Sequence, residues 1–130
     1  MKVVIQCVIK GTLEAAETYK LAFGLTDGLT VKHDDGTYAH LSLMCGDLEI
    51  LSMTESNDET SGENNRQSSS TVSGIANIGL YGLTKNEVLK AYEVLKKDAI
   101  KITDEPQSVP WLELYFILID KYGVGWQIGT

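Results

Sequence analysis

Apolar and β-branched residues run from Val3 to Ile9, and Lys10-Gly11 ends the run. Its length and residue types predict a buried strand. Thr12 is placed to cap a following helix, with Glu14 in the first turn near the positive end of the helix dipole. Ala16, Tyr19 and Phe23 recur at helical spacing, and Gly24 supplies a stop. Shorter apolar stretches follow: Leu29 to His33, Thr37 to Met44 and Leu48 to Met53. Asp34-Asp35-Gly36 and Cys45-Gly46-Asp47 separate them as turn signals. The first half therefore reads as strand, helix and three strands.

Thr54 to Gly74 breaks the pattern. Ser, Asn, Glu, Asp, Thr and Gly fill it without periodicity, which predicts a solvated flexible connector. Its acidic residues lack the spacing of a calcium-binding loop. The pattern then restarts. Ile75 to Tyr81 reads as a strand, Thr84-Lys85-Asn86-Glu87 as a capping box, and Val88, Ala91, Tyr92 and Leu95 as an apolar helical stripe. Ala99 to Thr103 predicts a strand, Asp104 to Pro110 a proline-bearing loop, Trp111 to Ile119 a long strand and Val124 to Ile128 the last. The halves overlay: Thr12 falls on Thr84, Ala16 on Val88, Phe23 on Leu95 and Ile5 on Asn77. With extra length assigned to the proline loop, Glu49-Ile50 falls on Gln127-Ile128.

The chain has 130 residues, 43% hydrophobic and 22% charged, enough for one domain with a real core. No G-x-G-x-x-G follows a strand, which excludes a standalone Rossmann-type enzyme and a glycine-rich S-adenosylmethionine site. A net charge of −7 repels phosphate backbones, so no nucleic-acid partner is expected. No run approaches the length that spans a bilayer, and the N-terminal stretch lacks a signal-peptide cleavage site. Two cysteines, Cys7 and Cys45, do not make a disulfide framework. A cytoplasmic protein with reduced thiols is the expectation.

Four stretches carry a family resemblance: the strand and helix from Val3 to Lys20 with Ala22-Phe23-Gly24-Leu25; Tyr38-Ala39-His40-Leu41; Gly46-Asp47-Leu48-Glu49-Ile50; and Trp111-x-x-x-Tyr115 leading into Asp120-Lys121-Tyr122-Gly123-Val124-Gly125-Trp126-Gln127-Ile128. Together with the doubled βαβββ pattern they resemble the vicinal-oxygen-chelate superfamily, which includes glyoxalase I, bleomycin- and fosfomycin-resistance proteins and extradiol dioxygenases. Within it the PhnB-like branch is the most similar. The resemblance implies an α+β fold of two βαβββ modules, about 1–53 and 75–130. These would form an eight-stranded, strongly curved mixed sheet, with helices on the convex face and a cleft on the concave one. It also implies a homodimer.

Metal-using members of that superfamily take ligands from the first and last strands of each module, which here places Ile5, Glu49, Asn77 and Gln127. One carboxylate and two amides are a poor transition-metal set, so no metal and no cofactor are expected. Strand alternation puts Tyr38, His40, Ser42 and Met44 on one face, and Trp111, Glu113, Tyr115 and Ile117 on another. These mixed faces belong to the cleft. Tyr38, His40, Glu49, Trp111, Glu113, Tyr115 and Gln127 are therefore the candidate ligand-binding residues. His40 and Glu49 are the candidate acid–base pair; an apolar cleft would raise the Glu49 carboxyl, and a carboxylate reaching solvent at the cleft mouth stands against that role. The expected function is metal-free binding of a small molecule; the alternative is a superfamily enzyme acting through His40 and Glu49. Packing roles for Trp111, Tyr115 and Trp126, and a hydrogen-bonded structural role for His40, stand against both.

Overall fold

A computed structural model describes residues 1–57 and 76–130. It divides into two compact units, Met1–Ser61 and Gly62–Thr130. The N-terminal unit runs β1 (Gln6–Ile9), α1 (Thr12–Phe23), β2 (Thr26–Lys32), β3 (Tyr38–Cys45) and β4 (Leu48–Glu55). The C-terminal unit runs β5 (Ile78–Leu80), α2 (Lys85–Leu95), β6 (Lys101–Val109), β7 (Leu112–Ile119) and β8 (Gly125–Gly129). Both have the βαβββ order expected from the sequence. The described strands form two four-stranded mixed sheets, ordered β1-β4-β3-β2 and β5-β8-β7-β6. In each, the first strand lies parallel to the last, and the remaining neighbours are antiparallel.

Each helix covers one face of its own sheet. Ala15, Ala16, Tyr19 and Ala22 of α1 are buried, as are Cys7, Ile9, Leu41, Leu43, Leu51 and Met53 of the strands. Small residues on the helix let it sit close to the larger residues of β3 and β4. In the C-terminal unit, Val88, Ala91, Tyr92 and Leu95 are buried together with Phe116, Leu118, Trp126 and Ile128. The rings of Tyr92 and Phe116 meet edge to face at 5.3 Å between centroids.

The two helices start differently. Thr84 and Glu87 form the capping box that the sequence predicts, each side chain bonding the other's backbone N–H. Thr84→Ala is expected to cost about 1 kcal/mol, read as a lower midpoint in a thermal melt followed by circular dichroism. In α1 the predicted cap fails. Gly11 occupies the N-cap in the left-handed region, with φ 84°, and Thr12 is the first helical residue. A carboxylate from the far end of β4 replaces the local cap. Glu55 accepts from the Gly11 N–H at 2.9 Å, the Thr12 N–H at 2.8 Å and the Thr12 hydroxyl at 2.6 Å.

Several expected boundaries move. β1 begins at Gln6, leaving Val3 and Val4 exposed. β2 begins at Thr26 rather than Leu29, because Thr26 and Asp27 pair with Met44 and Leu43 of β3. β4 continues through Thr54 and Glu55, which the composition assigns to the connector. The rest of that connector from 58 onward, and Ile75, lie outside the described residues. The expected loop from Asp104 to Pro110 is mostly strand. Pro106 is accommodated because β6 is an edge strand and the ladder shifts register between Asp104 and Gln107. Trp111 falls in the β6–β7 turn, before β7 begins at Leu112. Cys7 is a buried thiol and Cys45 an exposed one, with no bridge between them.

Candidate functional site

The uncovered face of the N-terminal sheet is polar and internally wired. Gln6 lies opposite Ser52, and Ser52 opposite Ser42. Ser42 and Ser52 are buried, and His40, partly exposed, stands between them. The His40 Nε2 is 3.2 Å from Ser42 Oγ, and its Nδ1 is 3.3 Å from Ser52 Oγ. The Ser42 hydroxyl donates to Glu49 Oε1 at 2.8 Å, and Lys2 Nζ bonds Glu49 Oε2.

Proton bookkeeping along this chain assigns the imidazole. Ser42 has one hydroxyl proton, and it goes to Glu49. Ser42 therefore accepts from His40, which puts the ring proton on Nε2. In the neutral ring Nδ1 then accepts from Ser52. Both ring nitrogens are thus engaged. His40 and Glu49 are linked through Ser42 and are not directly bonded to each other.

A bulge makes the arrangement possible. Leu43 pairs with Leu51, yet Met44 pairs with Glu49, so Ile50 is the extra residue. In a regular strand Glu49, an odd number of residues from Ser52, would point to the opposite face. The bulge turns it to the same face. Its side chain is 11% exposed. The Lys2 ammonium first, and the Ser42 hydroxyl second, hold its carboxyl below the ordinary value, against the smaller effect of burial. The carboxyl is thus lowered, not raised as an apolar cleft would make it, because the charge is partnered by Lys2 and Ser42.

The uncovered face of the C-terminal sheet carries Tyr115, Ile117 and Gln127. Gln127 lies between Gly79 and Ile117 on the neighbouring strands. The Tyr115 hydroxyl donates to Asp104 Oδ2 at 3.0 Å, and this bond to a carboxylate raises the phenol's pKa. Trp111 is 77% exposed in its turn, outside β7. Glu113 is also exposed and pairs with Lys85, 3.3 Å away at the start of α2. Tyr38 is buried, with Lys32 Nζ 5.3 Å from its ring centre.

Of the candidates, the N-terminal sheet brings His40 and Glu49 together, and the C-terminal sheet brings together Tyr115 and Gln127. Tyr38, Trp111 and Glu113 join neither group. The residues that complete the groups are Ser42, Ser52, Lys2 and Asp104. Ser52 leaves a signal, a small polar residue inside the apolar run Ile50 to Met53. Lys2 leaves none.

A separate hollow of about 510 Å³ lies beside the β2–β3 turn, lined by His33, Asp34, Asp35, Thr37, Glu55, Ser56 and Asn57. Glu55 is held by α1 there. The Asp35 carboxyl is lowered by bonds from the Thr37 hydroxyl and N–H.

The model of the Glyoxalase/Bleomycin resistance protein/Dioxygenase superfamily matches residues 9–128. The chain belongs to this superfamily. Among curated proteins, none matches. Among solved structures of the same fold, the PhnB protein from Bacillus cereus is 20% identical, with a TM-score of 0.71 over 99% of this chain and 98% of that one. A glyoxalase/bleomycin-resistance/dioxygenase domain from Frankia is 14% identical, with a TM-score of 0.67 over 100% and 96%. The fosfomycin resistance protein FosX from Listeria monocytogenes, solved with Mn(II) and sulfate, is 10% identical, with a TM-score of 0.62 over 100% and 91%.

The superfamily's metal does not fit these residues. The strand register equates Gln6 and Ser52 of the first module with Gly79 and Gln127 of the second, correcting the expected set of Ile5, Glu49, Asn77 and Gln127. The β4 bulge bears on Glu49 alone, which it takes out of simple strand counting; on β1 and β5 the paired positions are Gln6 and Gly79 rather than Ile5 and Asn77. An amide, a hydroxyl, a bare glycine and a second amide are weak donors for a divalent transition metal. Among the described residues, no three of His, Cys, Asp and Glu are placed to hold a metal ion together. Also among them, no helix is long and apolar enough to cross a membrane.

Proposed function

We propose that this superfamily member binds a small polar molecule on the uncovered face of its N-terminal sheet, without a resident metal. One observation carries the reading: Ser52, His40, Ser42, Glu49 and Lys2 form a continuous hydrogen-bonded chain on that face. Glu49 fixes Ser42, Ser42 fixes the imidazole, and the chain presents an ordered set of donors and acceptors. Pre-ordered polar groups recognise a ligand with little further entropic cost. The ionised Glu49 serves as an anchor, because a carboxyl held low has no proton to give near neutrality. Resistance proteins of the same superfamily give the reading its context. FosX is described with Mn(II), and among the described residues of this chain the donors for such an ion are not gathered.

The reading includes a homodimer in a reducing, cytoplasmic compartment. The open edge strand β2, with Leu29 and Val31 exposed, and the exposed Cys45 thiol support it. Sedimentation equilibrium checks the dimer.

The function is tested by thermal shift with fosfomycin, bleomycin, glutathione and simple quinones, each with and without EDTA. At least one compound is expected to raise the melting temperature equally in both conditions. His40→Ala and Ser42→Ala are expected to weaken its binding at least tenfold. Stoichiometric manganese, nickel, zinc or iron in the purified protein, with a shift lost in EDTA, overturns the metal-free reading. Binding unaffected by either substitution overturns the site.

A further inference from the structure

The two oxygens of Glu49 have partners held with very different firmness. Oε1 takes the hydroxyl of Ser42, which is buried in β3 and tied to His40. Oε2 takes the ammonium of Lys2, which precedes β1 and has a side chain 66% exposed. Val3 and Val4 beside it are exposed as well. The Ser52 N–H donates to the Ile5 carbonyl at 2.8 Å, so the segment is tied to the sheet three residues beyond Lys2. An ion pair with one exposed, long-chained member contributes little, because ordering that chain costs rotamer freedom and water screens the charges. Lys2 can therefore lift away at small cost. Glu49, only 11% exposed with the ammonium in place, then presents Oε2 outward while Oε1 stays on Ser42.

An apolar group stands next to that carboxylate. Met44 is the direct cross-strand partner of Glu49. A methyl carbon at Gly28 of β2 would stand 2.8 Å from Met44 Cγ, 2.9 Å from its Sδ and 3.0 Å from Ser42 Cβ. The Met44 side chain thus lies over bare backbone, beside Ser42 and on the same face. It is partly exposed. A thioether is polarisable and adapts to apolar shapes, aromatic rings included. A carboxylate facing a thioether across one strand pair suits a ligand whose cationic nitrogen is a bond or two from an apolar body. The net charge of −7 draws such cations toward the chain.

We infer that Glu49 and Met44 form a subsite for a primary amine with an apolar body, and that Lys2 occupies the ammonium position until the ligand takes it. The inference rests on the small-molecule-binding reading above and names the ligand class for that face.

The test is an NMR titration of the ¹⁵N-labelled full chain with benzylammonium near neutral pH. Benzyl alcohol serves as the neutral analogue of the same shape. The amide signals of Ser42 and Glu49 are expected to move saturably with the amine, and the alcohol to bind at least fivefold more weakly. At saturation the Lys2 and Val3 amides are expected to approach their positions in Glu49→Gln, where the ion pair is absent. Lys2→Ala removes the competing ammonium and is expected to lower Kd for benzylammonium at least threefold, whereas Lys2→Arg keeps the competitor and is expected to leave Kd within twofold. Glu49→Gln is expected to raise Kd at least tenfold and Met44→Ala at least threefold. An unchanged or higher Kd in Lys2→Ala overturns the displacement. Equal binding of benzyl alcohol, or of benzylammonium to Glu49→Gln, overturns the subsite, and unchanged binding to Met44→Ala overturns its apolar half. A neutral compound whose binding is weakened by His40→Ala, with no response to the amine, overturns the subsite while leaving the binding reading standing. Amine binding lost in Glu49→Gln but untouched by His40→Ala and Ser42→Ala supports the subsite while overturning the ordered chain as the recognition element.

Discussion

Asp120→Ala is expected to lower the unfolding free energy by about 3–4 kcal/mol, the largest effect of any single substitution considered. Asp120 is almost wholly buried, and its carboxylate organises the β7–β8 turn. Oδ2 accepts from the indole Nε1 of the fully buried Trp126 at 2.8 Å. Oδ1 accepts from the Tyr122 and Val124 N–H groups at 2.9 and 3.0 Å. Removing the carboxylate strands an indole donor in the core, which costs more than the bond itself contributes. Asp120→Asn keeps acceptor capacity without the charge and is expected to fall between wild type and alanine. The measurement is urea denaturation followed by fluorescence in a Trp111→Phe background, which leaves Trp126 as the only indole. Adding Trp126→Phe separates the causes. In a cycle followed by circular dichroism, it is expected to recover part of the alanine penalty, because the stranded donor is then gone. Full additivity would mean that the indole bond contributes nothing.

The second large effect is expected at Glu55. Its carboxylate receives the first two N–H groups associated with α1 and the Thr12 hydroxyl, so Glu55→Ala removes a helix cap and a β4–α1 tie together. A loss of about 2 kcal/mol is expected, at the upper end for a cap because the site is partly buried. Burial opposes the charge, yet the bonds from Thr12 and the Gly11 and Thr12 amides outweigh it and hold the carboxyl below 4.5. A carboxyl lowered on folding stabilises the native state above its unfolded pKa. That contribution fades as pH falls through the lower, folded value. Acid denaturation of the wild type should therefore include a Glu55 component below about pH 4.5, which Glu55→Gln removes. Identical acid limbs for the two proteins would count against the cap.

The doubled module was legible because its signals are local and repeated. The capping box at Thr84 and Glu87, the stripe of Val88, Ala91, Tyr92 and Leu95, and the glycine stop at Gly24 all act within a turn or two of chain. What was not legible depends on distant partners. Glu55 lies in a polar stretch, and only its meeting with α1 gives it a structural role. Asp104 to Val109 looks like a loop because proline removes a donor, and edge position makes that removal harmless. At the site, alternation correctly grouped His40 with Ser42. Glu49 reaches the same face only through a bulge, which leaves no mark in composition, and the low carboxyl there depends on Lys2, at the other end of the module's sequence. Trp111 heads the apolar run to Ile119 and so reads as strand, but the Pro110–Trp111 turn takes it out of the ladder.

The irregularity at Ile50 makes residue number in β4 matter more than residue identity. Exchanging Ile50 for valine preserves the count and should be nearly silent. Excising it would realign the strand, swing the Glu49 carboxylate toward the apolar residues beneath α1 and take the anchor from Ser42. A change of length at this one position is thus expected to cost the Glu49 anchor, whereas a change of the side chain there is not.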